Sequence, residues 1–79
     1  MLIKKEFGER LHALRKENHE TQLDLAEAVG TAKSHVSEME KGKRTTTLER
    51  FVLICEHYKV SADYLLGLTG DPEPYPPAK

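Results

Sequence analysis

The 79-residue chain has no tryptophan, two phenylalanines, three tyrosines and one cysteine. A single cysteine excludes an internal disulfide, and Cys55, inside the apolar run 51–55, is expected to be a buried reduced thiol. No stretch approaches the ~20 apolar residues that a membrane span requires. Charges follow the short apolar start at once, so no secretory signal is read there and a cytoplasmic chain is expected. Neither sign of charge dominates: 12 Lys and Arg face 13 Asp and Glu, a formal −1. The strongly basic composition common among nucleic-acid-binding domains is therefore missing. Period-two alternation is missing too, which leaves strands without a signal. No nucleophile elbow, phosphate-binding glycine loop or paired-carboxylate motif occurs, and Ser34, His35 and Ser37 point apart on a helix, so no catalytic residue is assigned. His12, His19, His35 and His57 are dispersed, with no two at one-turn spacing. With one cysteine, that excludes the common metal patterns, and neither metal nor cofactor is expected.

Present instead are helical spacing and an uneven charge distribution. The segment 33–50 carries Lys33, Lys41, Lys43, Arg44 and Arg50 against Glu38, Glu40 and Glu49, five bases to three acids. The segment 17–27 has Glu17, Glu20, Asp24 and Glu27 and no Lys or Arg. A polarised molecule with one modestly basic edge follows. The length suits one small domain near the limit for an unstapled core. The spacing predicts an all-α fold: helices over 4–17 (Phe7, Leu11, Leu14 inward), 22–28 (Leu25, Ala26 inward, Val29 following) and 32–41. A fourth reaches 58 with Leu48, Phe51, Val52, Ile54 and Cys55, and a short last one covers 62–66. Thr21 with Asp24 reads as a capping box, and Gly30 permits a left-handed C-cap. Thr47 and Ser61 are further N-caps, while Ala32 cannot cap. Residues 1–68 are expected to form the domain. Residues 69–79, with four prolines among the last eight, are expected to be an extended or disordered tail.

In the third helix, Val36 and Met39 fall on one side. Ser34, Ser37, Glu38 and Lys41 fall on the other, with Lys33 on its flank. Small side chains near the helix start let its backbone approach base edges. Lys33 suits guanine O6 or N7, Ser34 and Ser37 donate or accept, and Glu38 suits cytosine N4. Gln22 and the first amides of the second helix suit a phosphate oxygen, and Lys41, Lys43 and Arg44 suit phosphate neutralisation. The competing reading of the same periodicity is a plain solvated helix face. His35 lies beside this face, either as a surface residue or as a phosphate contact when protonated. Leu23 and Leu53 stand at positions where the pattern expects polar residues. With Tyr64 and Leu68 they are candidates for a self-association surface.

The run 21–44, TQLDLAEAVGTAKSHVSEMEKGKR, resembles the Cro/repressor-type (Xre-like, lambda-repressor-like) helix-turn-helix of bacterial and phage transcription regulators. The resemblance reaches from FGERLHALRKEN to VSADYLLG. It rests most on Gln22, Leu25-Ala26, Gly30, Ser37 and the run 40–44. It implies a compact five-helix bundle with the helix-turn-helix at helices two and three. The third helix would enter the major groove of double-stranded DNA, usually as a homodimer on a palindromic operator. It also implies a cytoplasmic, nucleoid-associated protein of bacterial or phage origin. Carried over by position, Ala32 (an apolar contact), Lys33, Ser34 and Glu38 would read bases, and Gln22, Lys43 and Arg44 would clamp phosphates. Arg15 and Glu40 would pair as a partly buried salt bridge. The chain departs from the family at Ala32, where Ser or Thr is common, and at Glu38, where a neutral or basic residue is common. Two alternatives share the fold: an antitoxin with a toxin or other protein partner, and an interaction module without DNA binding.

Overall fold

A computed structural model describes residues 3–73. It contains five helices: α1 (Ile3–Glu17), α2 (Gln22–Val29), α3 (Lys33–Glu40), α4 (Leu48–Tyr58) and α5 (Ala62–Leu65). No strand occurs among the described residues, and none of their helices is long and apolar enough to cross a membrane.

The caps set most of the helix starts. Thr21 Oγ1 accepts from the Asp24 amide at 3.0 Å, and Asp24 Oδ2 accepts from the Thr21 amide at 2.9 Å, a reciprocal box. Thr47 and Ser61 accept from the amides of Arg50 and Tyr64 in the same way. Gly30 ends α2 with φ 72° and ψ 42°, a left-handed conformation that a side chain would strain. Ala32 precedes α3 without a side-chain cap, so that helix starts at Lys33 and ends at Glu40, one residue short of the expected span at each end.

Phe7, Leu11, Leu14, Leu25, Ala26, Val29, Val36, Met39, Ile54, Val60 and Leu65 form the core. The apolar residues of helix α4 divide between core and surface. Ile54 alone is fully buried there, Phe51 and Cys55 pack at the margin, and Leu48 and Val52 are exposed. With Ile54 facing the core, Phe51 lies roughly 60° and Val52 roughly 160° around the helix, so five apolar residues cannot share one face. Burial raises the Cys55 thiol pKa.

Helix α3 packs against both α1 and α2, and α5 closes the bundle against α1 and α4. The crossing of α1 with α3 is close because Gly8 has no side chain: a Cβ there would stand 2.3 Å from the Met39 carbonyl oxygen. At the other end, Glu20 takes the Tyr58 hydroxyl and His57 Nε2, each at 2.6 Å, which ties the α1–α2 loop to α4. Burial, then this bond to Glu20, pushes the Tyr58 pKa far up. The segment beyond α5 turns back along the body. Arg10 donates to the Thr69 carbonyl at 3.1 Å and covers the Tyr64 ring, and the Ser61 amide donates to the Pro72 carbonyl at 3.0 Å. Of the tail expected over 69–79, residues 69–73 are thus held to the body by these bonds, and residues 74–79 lie outside the described residues.

Candidate nucleic-acid interface

Burying Val36 and Met39 completely turns the rest of α3 outward. Ala32, Lys33, Ser34 and Lys41 are exposed, and Ser37 and Glu38 are half-buried. Ser34, Ser37, Glu38 and Lys41 line one side of α3, with Lys33 on its flank and Ala32 at its start. Because Ala32 provides no side-chain cap, the first amides of α3 have no capping partner.

Helix α3 is held by a buried ion pair. Arg15 Nε donates to Glu40 Oε2 at 2.6 Å and Nη2 to Oε1 at 3.0 Å, with side chains 8% and 5% exposed. The remaining Arg15 nitrogen, Nη1, donates to the Glu20 carbonyl at 2.7 Å. Glu40 Oε1 also accepts from His12 Nδ1 at 3.0 Å and from Gln22 Nε2 at 3.1 Å. One carboxylate therefore joins α1, the first residue of α2 and the last of α3. Gln22 turns one amide proton inward, which fixes the amide and leaves its second proton for an outside acceptor. Burial alone would raise the Glu40 pKa. The bonds from Arg15, His12 and Gln22, with the Arg15 charge, outweigh it and hold the carboxyl below its ordinary value.

The sign of the resulting pH dependence follows. The unfolded chain binds this proton near the ordinary value of about 4.3, and the folded chain only at lower pH. The stabilisation is complete above that value and is lost as pH falls through the folded-state pKa. Urea unfolding is expected to show the wild type losing its advantage over Glu40→Gln as pH drops below about 4.3. Two profiles that stay parallel through that range would assign the acid sensitivity elsewhere.

Two sequence-predicted roles meet in one contact. Arg44 Nη1 donates to Glu38 Oε1 at 3.1 Å, so a candidate base reader and a candidate phosphate clamp hold each other on the surface. His35 is more constrained than a surface residue. Its Nε2 lies 3.0 Å from the Thr45 carbonyl and its Nδ1 2.8 Å from Thr31 Oγ1. A carbonyl only accepts, so Nε2 donates to it, and in the neutral ring Nδ1 accepts from the Thr31 hydroxyl. His35 thereby braces the turn before α3 against the connector after it.

Beside α3, a cleft of about 540 Å³ is lined by Lys4, His35, Lys43, Arg44, the 45–47 connector and Arg50, with no carboxylate in its walls. Lys4 and Arg50 were not legible as site residues. Lys4 is 31 residues before His35 in sequence and meets it only through the fold. Arg50 gave a signal only as one more positive charge. It also has a structural duty: its Nε and Nη2 donate to the Val29 and Gly30 carbonyls at 3.2 and 3.0 Å, covering the end of α2. Of the self-association candidates, Leu23, Leu53 and Leu68 are exposed, while Tyr64 is half-buried under Arg10.

Comparison with known proteins places this geometry. A helix-turn-helix family model matches residues 11–65. An uncharacterized HTH-type transcriptional regulator, YobD of Bacillus subtilis, is 42% identical over 68 residues, 86% of this chain and 61% of that protein. Antitoxin PezA of Streptococcus pneumoniae is 32% identical over 61 residues, 77% of this chain and 39% of that protein. The chain thus spans less than two thirds of either relative. The crystal structure of the restriction-modification controller protein C.AhdI from Aeromonas hydrophila superposes with a TM-score of 0.69 at 30% identity, over 81% of this chain and 94% of that one.

Proposed function

Since the chain belongs to the helix-turn-helix family of DNA-binding transcription regulators, we propose that it is a sequence-specific repressor that lays α3 in the major groove, two copies to a palindromic operator. The observation that carries this reading is the exposed face of α3 beside a cleft with basic side chains and no carboxylate in its walls. Ala32, Lys33, Ser34, Ser37 and Glu38 are the base-reading set, with hydrogen-bonding side chains on a helix slim enough for the groove. Gln22, Lys41, Lys43 and Arg44 are the phosphate set, joined by Lys4 and Arg50. Phosphates sit on both sides of a major groove, so a helix lying in it needs clamps of this kind beside its reading face.

The test is selection of binding sites from random DNA at stated salt. Recovered half-sites about one helical turn apart would support a two-fold complex. Affinity should fall steeply with salt, and Lys43→Ala should lower the slope by about 1 without changing the selected sequence. Binding without salt dependence would favour the interaction-module alternative. The likeness to PezA is the one observation that favours the antitoxin alternative, and co-purification of a toxin from the native host would support it.

Glu38 has a specific role in this proposal. Its carboxylate repels phosphate and occupies Arg44, so DNA of any sequence must displace it from the cation it holds. A cytosine N4 or adenine N6 amino group at the facing position gives the freed carboxylate a new partner; guanine and thymine, which present only acceptors and a methyl group in the major groove, do not. Glu38→Gln is expected to raise affinity for random DNA several-fold and leave operator affinity nearly level, since an exposed pair is worth about 0–1 kcal/mol. An unchanged operator-to-random ratio would remove Glu38 from the specificity set.

A further inference from the structure

The carboxylate that fixes Gln22 also holds a second donor, which no role above employs. His12 Nδ1 lies 3.0 Å from Glu40 Oε1, the oxygen that takes Gln22 Nε2 at 3.1 Å. A carboxylate oxygen only accepts, so Nδ1 carries a proton and donates. Arg15 Nη2, 3.3 Å from the same nitrogen, is itself a donor and gains no bond from a protonated Nδ1. No bond of His12 Nε2 occurs among the described residues. The His12 side chain is 52% exposed, that of Glu40 5%. The ring is thus clamped at its inner nitrogen and open at its outer one.

Two groups anchored on one oxygen therefore open on one patch of surface: the second amide proton of Gln22 and Nε2 of His12. Gln22 belongs to the phosphate set, so a phosphate that meets its amide comes within reach of the imidazole. With Nδ1 protonated, a neutral ring presents a bare Nε2, an acceptor that repels a phosphate oxygen. The charged ring, protonated at both nitrogens, donates to it. Glu40 faces the ring from α3 and Arg15 from its own helix, with charges of opposite sign. Glu9 and Lys16, three residues before and four after on α1, are opposite as well. From α2 the site meets the neutral Gln22. A phosphate beside Nε2 adds negative charge to this set and favours the second proton.

The other histidines lack this arrangement. Both ring nitrogens of His35 are bonded within the protein. His57 gives Nε2 to Glu20, and His19 is in no ion pair among the described residues.

We propose that His12 is a proton-operated phosphate contact: Glu40 orients the ring through Nδ1, a phosphate oxygen accepts from Nε2–H, and DNA binding takes up one proton from solvent at this residue. This deepens the DNA-binding reading above and rests on it.

Affinity for the duplex recovered by selection tests it, measured at constant salt from about pH 8 to about pH 5.5, the range in which imidazoles change charge. Wild-type affinity is expected to rise by about three- to tenfold as pH falls, the scale of one partly exposed charge-assisted contact. The salt slope should steepen by about 0.9 over the same range, since one more phosphate is neutralised. His12→Asn keeps a donor toward Glu40 but has neither an outward nitrogen nor a charge. It should bind like the wild type at the alkaline end, stay flat with pH and select the same sequence. An unchanged melting temperature will show that its fold is intact. A second readout needs no variant: near neutral pH, adding the duplex to the wild type should move the His12 ring-nitrogen resonances to the doubly protonated pattern. Wild-type affinity that ignores pH overturns the assignment. So does a pH dependence that persists in His12→Asn, or a His12 ring unchanged by the duplex. Those outcomes, with the duplex bound, sink this inference alone. A protein that binds no duplex at any pH sinks the functional reading and this inference with it.

Discussion

Glu40→Ala is expected to destabilise the fold by about 3–5 kcal/mol, the range for breaking one side of a buried pair. The Arg15 side chain is 8% exposed, and after the substitution its charge would face only neutral or cationic partners, the Glu20 carbonyl and the His12 ring, with no carboxylate to balance it. Gln22 and His12 would lose their acceptor as well. A domain of this size has about 4–12 kcal/mol of stability in all, so the variant should be close to unfolded at physiological temperature. Thermal unfolding should show a midpoint lowered by more than about 12 °C. The cost comes from stranding a charge, so removing both partners should cost less than removing one. Arg15→Met combined with Glu40→Met is expected to recover much of the loss. A double variant no better than Glu40→Ala would mean that apolar replacements do not fit the space of the pair. DNA affinity should remain impaired in the recovered variant, because Gln22 and the end of α3 are no longer fixed to α1.

Gly8→Ala should also be clearly destabilising, against the intrinsic preference of the helix. Alanine favours an exposed helix over glycine by about 1 kcal/mol, which would predict a more stable protein. The structure reverses the sign. The added Cβ would lie 2.3 Å from the Met39 carbonyl oxygen and 3.0 Å from that of Glu40, both backbone atoms at the end of α3. Neither can rotate away, so α1 and α3 must separate, opening the core around Leu11 and Met39 and stretching the Arg15–Glu40 pair. Overpacking of this kind costs about 1–3 kcal/mol and occasionally more, and the absence of a flexible neighbour places this case at the upper end. Urea unfolding decides it: a midpoint equal to or above that of the wild type would show that the two helices do not cross this closely.

These two sites differ in how far they can be read from residues alone. Arg15 and Glu40 come together by resemblance to a family in which those positions pair. Their bidentate geometry, and the recruitment of His12 and Gln22, depend on where α1 sits against α3. Gly8 carries no sequence signal, because a helical glycine looks like a mild defect until the neighbouring backbone is in place. The same limit applies in α4. Leu48 and Val52 are as apolar as Ile54, yet an 11-residue helix can turn only one side inward, and the position of α2 and α5 selects Ile54. Lys4 and Arg50 join the basic cleft from helices far apart in the chain.

The chain's residues by themselves determined what local physics controls. Capping side chains place the starts of α2, α4 and α5, Gly30 turns the chain, and period-3.6 spacing separates Val36 and Met39 from the outward residues of α3. Such signals act within a few residues, so no packing partner is needed to read them. Tertiary structure decided everything that requires two elements to meet: the hold of Glu38 on Arg44, the fixing of Gln22 by Glu40, and the bracing of the turn by His35 and Arg50. Those contacts depend on helix crossing distances of a few ångströms, set by the whole core acting together.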